Sequence, residues 1–531
     1  PVTSAAPADT QPAIAPTLAQ AALVTILGFF ATIDITGPDL HMVGSRSLPT
    51  LDRASVAATA PGAVLAIQSF LSERRSDAAF AFFMGLPRLL LGPSDAPDIV
   101  PVLRHRTSTL LSGDAKSLWH AFIADNPLPD GSKRNAIKDT DSDSFYREIS
   151  ATLTELSEAG GWSSMTTLLD AVPSCPPTRA TFDALAKLQE SKPIDPELTR
   201  LRDERFPHLA EGETITATWG SAYDLFSKAD GKKLIAKWEP NISSLNELTA
   251  PDGTSWRGSH VKRFAKHAML EFAMLHELVD RHLVTPRQLI LLKSNSLIAL
   301  LKPNGAGTFT LDNKKRPIGK NNRFQTSAFR PHARDVAKHG APYLASLGQM
   351  GSLPCGIENT PRQLQITRDR HPTSIRRSED AANAFPSLLR GSVLLGHRLL
   401  QARLRALPNP TDSERALIDV SIKSLEIYTV YRATPNNQWV NVEGTLLNLP
   451  ASGACVQGGI LDASDFAIPW TLLVVHPMRE LDPDCLNALA IADDVYTEAR
   501  NERPPPTNLP AITDLMRSQA AAAAALASAS P

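Results

Sequence analysis

Three carboxylates dominate the chemistry that this sequence could perform. Asp380 opens the run Asp380-Ala381-Ala382-Asn383-Ala384-Phe385, and Asp493-Asp494 follow the apolar run Ala490-Ile491-Ala492. An acidic pair after a short apolar run predicts a strand–turn–strand hairpin with its carboxylates at the tip. A third carboxylate on a neighbouring strand completes a cage of hard oxygen ligands for Mg²⁺. Carboxylates gathered this way repel one another, so a cation is their natural partner. Two such ions, about 3.5–4 Å apart, clamp the attacking and leaving oxygens of a phosphoryl displacement. Taken alone, an Asp-Asp pair in a loop is more often a solvated turn, and its context decides.

Other constellations are weaker. His276-Glu277-Leu278-Val279-Asp280 has the outline of a zinc-protease helix, but Asp280 stands where the second histidine belongs. With His260, His267 and His282 nearby, it still reads as an ordinary amphipathic helix. Cys175, Cys355, Cys455 and Cys485 form no C-x-x-C pair, which argues against a zinc site and a disulfide framework and fits a reducing compartment. No GxGxxG or GxxxxGK[ST] loop occurs, which argues against dinucleotide and NTPase chemistry. Basic runs lie at Arg104-His105-Arg106, Lys314-Lys315-Arg316, Arg323 to Lys338 and Arg368 to Arg377. Such runs can track an RNA backbone, although each alone is more often a solvated face. Arg323, Arg330, Arg334, Lys338, Arg376 and Arg377 are the RNA-binding candidates.

The order of motifs resembles the fingers and palm of a retroelement-type reverse transcriptase, an RNA-directed DNA polymerase. Asp380-x-x-Asn383-Ala384-Phe385, then Gln457-Gly458, then Ala492-Asp493-Asp494 looks like the palm. Leu297 to Gly305 with Arg316-Pro317-Ile318-Gly319 resembles the fingers hairpin, and Leu347-Gly348 with Pro354-Cys355-Gly356-Ile357-Glu358 the segment after it. The resemblance implies that Asp380 and Asp493 bridge two Mg²⁺ with Asp494 in support. It implies that Lys302 and Arg316 face the incoming triphosphate, with Gln457 and Gly458 beside the nucleotide. Phe385 takes the place of the aromatic that excludes a ribose 2′-hydroxyl. Some residues depart from the family pattern. Gly459-Ile460-Leu461 leads into Asp462 and Asp465, which are expected to repel phosphate near the template path. Arg376-Arg377 replace apolar strand residues, and Ile491 replaces an aromatic. Residues 495–531 are expected to be too short for the helical thumb of this family.

The expected fold class is α+β: a helical N-terminal region, then right-hand fingers and palm with an antiparallel sheet flanked by helices, and no thumb. The expected divisions are an extended arm and apolar segment at 1–50, a helical domain at 51–248, a fingers-like region at 249–379, a palm-like region at 380–499, and a Pro/Ala-rich tail at 500–531. Helices are expected at 52–125, 147–170, 179–190, 258–283, 321–345, 387–406, 411–426 and 466–482, and strands within 427–449. Ala21 to Ile35 is apolar but shorter than the roughly 20 residues that span a bilayer, so a buried helix and no membrane contact are expected.

Hydrophobic content of 43% and charged content of 21% are globular values. The net charge is −1, whereas nucleic-acid-binding domains are usually basic, so RNA contact must come from local patches. The chain starts at Pro1 rather than Met, as a form that has lost a targeting peptide does, or a trimmed one. Two function classes fit these features. The first is a domesticated, non-polymerising pseudoenzyme: an RNA-binding, scaffolding subunit of a large ribonucleoprotein whose other subunits hold both termini. A mitochondrial ribosome in the organelle matrix is the first such assembly to consider. The second is an active RNA-directed DNA polymerase using two Mg²⁺. The aspartates favour the second; the altered segment after Gln457, the neutral charge and the low-complexity ends favour the first.

Overall fold

The computed structural model describes residues 16–41, 51–128, 174–189, 194–210, 220–226, 228–246, 251–301, 315–353, 356–380, 385, 388–451, 453, 455, 459–481, 485–492 and 494–499. The fold is α+β and mostly helical, and the chain forms two compact units. Pro1–Pro127 and Thr218–Leu275 make one; Leu128–Ala217 and His276–Pro531 make the other. Residues Thr218–Leu275 thus group with the N-terminal segment rather than with the residues C-terminal to them.

The first unit is helical and is built around Asp77–Leu91, whose sequence is apolar on every side. All residues from Ala79 to Leu91 are buried. A helix of that kind must be surrounded, and Pro16–Phe30, Arg53–Ser72, Ile99–Leu111 and Ala115–Asp125 pack against it. Arg53–Ser72 is long and apolar enough to cross a membrane by length and composition, yet 61% of that window is buried in this unit. Asp52, Ser76, Asp98 and Asp114 each cap a helix by accepting a main-chain N–H, which satisfies an orphan donor of the first turn. Residues 251–257 form the described part of the turn expected at 250–257. Asp252 Oδ1 accepts from the N–H groups of Thr254 and Trp256 at 2.9 and 3.0 Å, and Trp256 Nε1 donates to Met84 O. The helix expected at 258–283 is two helices, Gly258–Ala265 and Met269–Asp280.

The second unit carries both sheets. Strands β1 (Asn295–Leu301), β2 (Lys315–Asn321), β4 (Gln438–Val442) and β5 (Thr445–Asn448) form a mixed sheet in the order β2-β1-β4-β5. Leu297, Ala299 and Leu301 alternate inward along β1 and meet Val440, Val442 and Leu185. Strands β3 (Ile375–Asp380), β6 (Cys485–Ile491) and β7 (Asp494–Ala499) form an antiparallel sheet in the order β3-β7-β6. Its two faces are covered differently. Ala488, Ala490 and Val495 pack on Val475, and Leu489 packs with Met350 and Leu364.

Residues 427–432 were expected as strand but complete the long helix Asp412–Arg432. The run Tyr428-Thr429-Val430-Tyr431 has strand propensity. Tertiary burial overrides it: Tyr428 and Tyr431, three apart on one helical face, are both buried. A capping box between Thr411 and Glu414 anchors the other end. The helix expected at 321–345 runs as Arg323–Asp335 and Ala341–Ser346 joined by a π-turn, Val336–Gly340. That at 466–482 likewise runs from Asp462 to Leu481 through a π-turn, Thr471–Val475.

Candidate functional site

The register of the second sheet brings two of the three predicted carboxylate residues together. β3 pairs with β7 along its length, from Ile375 opposite Ala499 to Asp380 opposite Asp494. β6 and β7 form the expected hairpin, with Ile491 opposite Asp494. Asp380 therefore ends one strand directly across from the residue that begins the next. Asp494 is half-buried. Asp493 lies outside the described residues. Among the described residues, no group of three or more His, Cys, Asp and Glu could hold a metal ion.

The strand forms despite the arginines that replace its expected apolar residues. Arg376 donates to Glu498 Oε1 from Nε at 3.2 Å and from Nη2 at 3.0 Å, across the β3–β7 pair. Glu498 is buried, so the guanidinium neutralises a carboxylate that would otherwise be costly. Arg376 thus serves the sheet itself. β3 is an edge strand, and charge on an edge also discourages pairing with other chains.

Asp462 and Asp465, expected to repel phosphate near the template path, are both buried, at 3% and 4% exposure. Asp462 is ion-paired with Arg432, itself buried. Burial works to strip the charge from Arg432, but Asp462, Tyr428 and Cys455 together outweigh it and hold the guanidinium above its usual range. Arg390, also buried, donates to the carbonyls of Gly453, Ala451 and Thr434 at 3.2, 3.0 and 3.1 Å. Burial brings its pKa down to about 10. The Cys455 thiol is pushed well up, by burial first and then by Asp462 and Asp465, so it is inert. This buried arginine–aspartate cluster braces the chain on both sides of Gln457 and Gly458, which lie outside the described residues. A side chain at Gly459 would collide with the Asp462 carboxylate. A small cleft of about 30 Å³ opens beside Gly459, lined by Asn321, Gln325, Arg432, Asn436, Asp462 and Asp465. No sequence signal separated these buried charges from exposed ones, because partnering across Arg432 and Asp462 is a tertiary fact.

Phe385 stacks on Phe466, with ring centroids 4.7 Å apart and planes 19° apart, and Phe466 stacks in turn on Trp470. Lys302 lies outside the described residues. Arg316 is exposed on edge strand β2, opposite Leu300. Arg323, Arg330, Arg334 and Lys338 recur at intervals of seven, four and four along one helical run, which aligns them on one face. Arg334 and Lys338 are exposed. The Arg330 guanidinium is held below its usual range by burial and then by Arg334 and Arg323, the mark of a concentrated positive field. The side chain of Arg377 is outside the described residues. Arg106, of the first unit, is occupied by the carbonyls of Gly92 and Pro93.

The His276 segment is structural. His276 lies 2.7 Å from Ser327 Oγ, and Glu277 pairs with Arg281 at 2.6 Å. A second cluster has the composition of a hydrolytic triad: Ser421 Oγ is 3.0 Å from His397 Nδ1, and Asp465 Oδ1 is 3.5 Å from His397 Nε2. All three are under 5% exposed, so no substrate reaches them.

No protein-family model matches this chain, and no curated protein matches its sequence.

Proposed function

We propose that the chain is a reverse-transcriptase-like protein whose second unit carries fingers and palm, and that it acts as an RNA-directed DNA polymerase. The observation that carries this reading is the register pair Asp380–Asp494 at the end of an antiparallel sheet, with Asp493 next in the chain. Aspartates at opposed strand positions repel, and their hard oxygens fit Mg²⁺. Mg²⁺ bound there supplies charge stabilisation for the attacking and leaving oxygens. The chain's own residues position the reactants. Asp380, Asp493 and Asp494 hold the metal-binding edge. The row Arg323–Arg330–Arg334–Lys338 attracts the RNA backbone, and Arg316 with Lys302 meets the triphosphate.

A second reading is the domesticated RNA-binding scaffold of a ribonucleoprotein such as a mitochondrial ribosome. The net charge of −1 favours it. The internal neutralisation of Asp462 removes one argument for it. Primer extension on an RNA template with Mg²⁺ or Mn²⁺ separates the two. The polymerase reading expects extension that falls at least about 100-fold in Asp380→Asn and in an Asp493→Asn, Asp494→Asn double variant. Absent extension, with RNA binding equal in wild type and both variants, leaves the scaffold.

A further inference from the structure

The residue that leads into the acidic pair is held in a conformation its type disfavours. Ala492 has φ of +54°, a left-handed region that L-residues with a Cβ seldom enter. It sits where β6 gives way to β7, and tight hairpins usually place Gly, Asn or Asp at such positions. A strained residue persists only where its surroundings over-determine it.

Gln349 does this. Its Oε1 accepts from the Ala492 N–H at 3.1 Å, and its Nε2 donates to Ala492 O at 3.1 Å. One carboxamide thus holds both main-chain polar groups of one residue. The carboxamide is itself fixed. Gln349 is fully buried, its Oε1 also accepts from Gly351 N–H at 3.2 Å, and Ala490 N–H donates to Gly348 O at 2.8 Å. The glycines on either side are required by the close approach. A Cβ at Gly351 would lie 2.6 Å from Ala492 N, and one at Gly348 2.6 Å from Ala488 O. Gly348 also has φ of +110°.

The geometry points to Gln349 as a positioning residue for the Asp380–Asp494 edge. Its carboxamide locks Ala492 in the left-handed conformation and so sets where Asp494 stands relative to β3. Gln349 touches neither carboxylate residue in this role, and the inference rests on the polymerase reading above.

The test uses the full chain, in wild type, Gln349→Met, Ala492→Gly and the double variant. Methionine keeps the volume and removes both hydrogen bonds; glycine adopts positive φ without strain. For primer extension with Mn²⁺, Gln349→Met is expected to lower kcat about tenfold or more, because small misplacements of reacting groups are costly. The KM for nucleotide is expected to stay within about twofold, because Gln349 does not bind substrate. Ala492→Gly is expected to recover part of that loss. The thermal midpoint is expected to fall further on Gln349→Met in the wild-type background than in the Ala492→Gly background. Wild-type extension with unchanged kcat in Gln349→Met overturns the positioning role alone. So do additive midpoint shifts with no recovery of kcat by Ala492→Gly, since a residue that merely fills the core behaves that way. A wild type that neither extends a primer nor binds Mn²⁺ overturns the polymerase reading and the positioning role with it.

Discussion

What a charged residue contributes to this fold depends on its surroundings. Asp462 is neutralised by Arg432 below the surface, while Asp494 stands half-buried across from Asp380. His41 shows the stability side. It is buried, and burial together with the nearby Arg88 guanidinium lowers its pKa to about 3. Arg88 is itself committed to the carbonyls of Asp39, Leu40 and Gly253. In the unfolded chain a histidine titrates near 6.5, so between about 6.5 and 3 the unfolded state binds the extra proton. Stability is therefore fully present above pH about 6.5 and is lost as the pH falls below it. The thermal midpoint of the first unit is expected to hold from pH 8 to 7 and then fall, as this group removes at most about 1.4 kcal/mol of stability per pH unit. Calorimetry against pH checks this, and His41→Gln should flatten the acid limb.

At the scale of elements, close helix approach fixes the framework behind the second sheet. The helices Arg390–Arg405 and Asp462–Trp470 meet at Gly396, where a Cβ would lie 2.8 Å from Pro469 Cα and 2.9 Å from Pro469 Cβ. Proline's backbone there cannot swing aside as a long side chain can. Gly396→Ala would raise helix propensity, but overpacking outweighs that gain. The expected net destabilisation is about 1–3 kcal/mol, measurable by denaturant unfolding. A stabilised variant would show that these helices can separate at no cost. The two π-turns pack on different helices, Val336–Gly340 on Asp412–Arg432 and Thr471–Val475 on Arg390–Arg405. Val475 from the second sits directly on Ala488 and Ala490 of the acidic hairpin.

For the whole molecule, a net charge of −1 means that the RNA binding proposed above must rest on local patches. The row Arg323, Arg330, Arg334 and Lys338 is one such patch in the second unit. Each phosphate neutralised on a single strand adds about 0.7 to the salt slope of binding. Replacing all four with Gln is expected to reduce that slope by up to about 3 and to weaken RNA binding at low salt without sequence preference. Fluorescence anisotropy from about 50 to 200 mM salt measures it. An unchanged slope would move the RNA contact elsewhere.

The order of strands and acidic residues was legible in the sequence because both depend on local pattern. The apolar run before Asp493 predicts a strand whatever lies around it. The helix starts expected at 52 and 411 fall at the caps Asp52 and Thr411, and a cap needs only a side-chain oxygen and the next turn. The run Tyr428 to Arg432 was not legible, because its strand propensity yields to burial against distant residues. Nor was the fate of Asp462, which turns on Arg432 thirty positions away, or of Arg376, which turns on Glu498. The clamp of Gln349 on Ala492 spans 143 positions. Sequence alone thus set the acidic hairpin and the order of its carboxylates along the chain. Only the tertiary structure decided which charges cancel inside and which strained turn is held, because desolvation and pairing depend on neighbours in space.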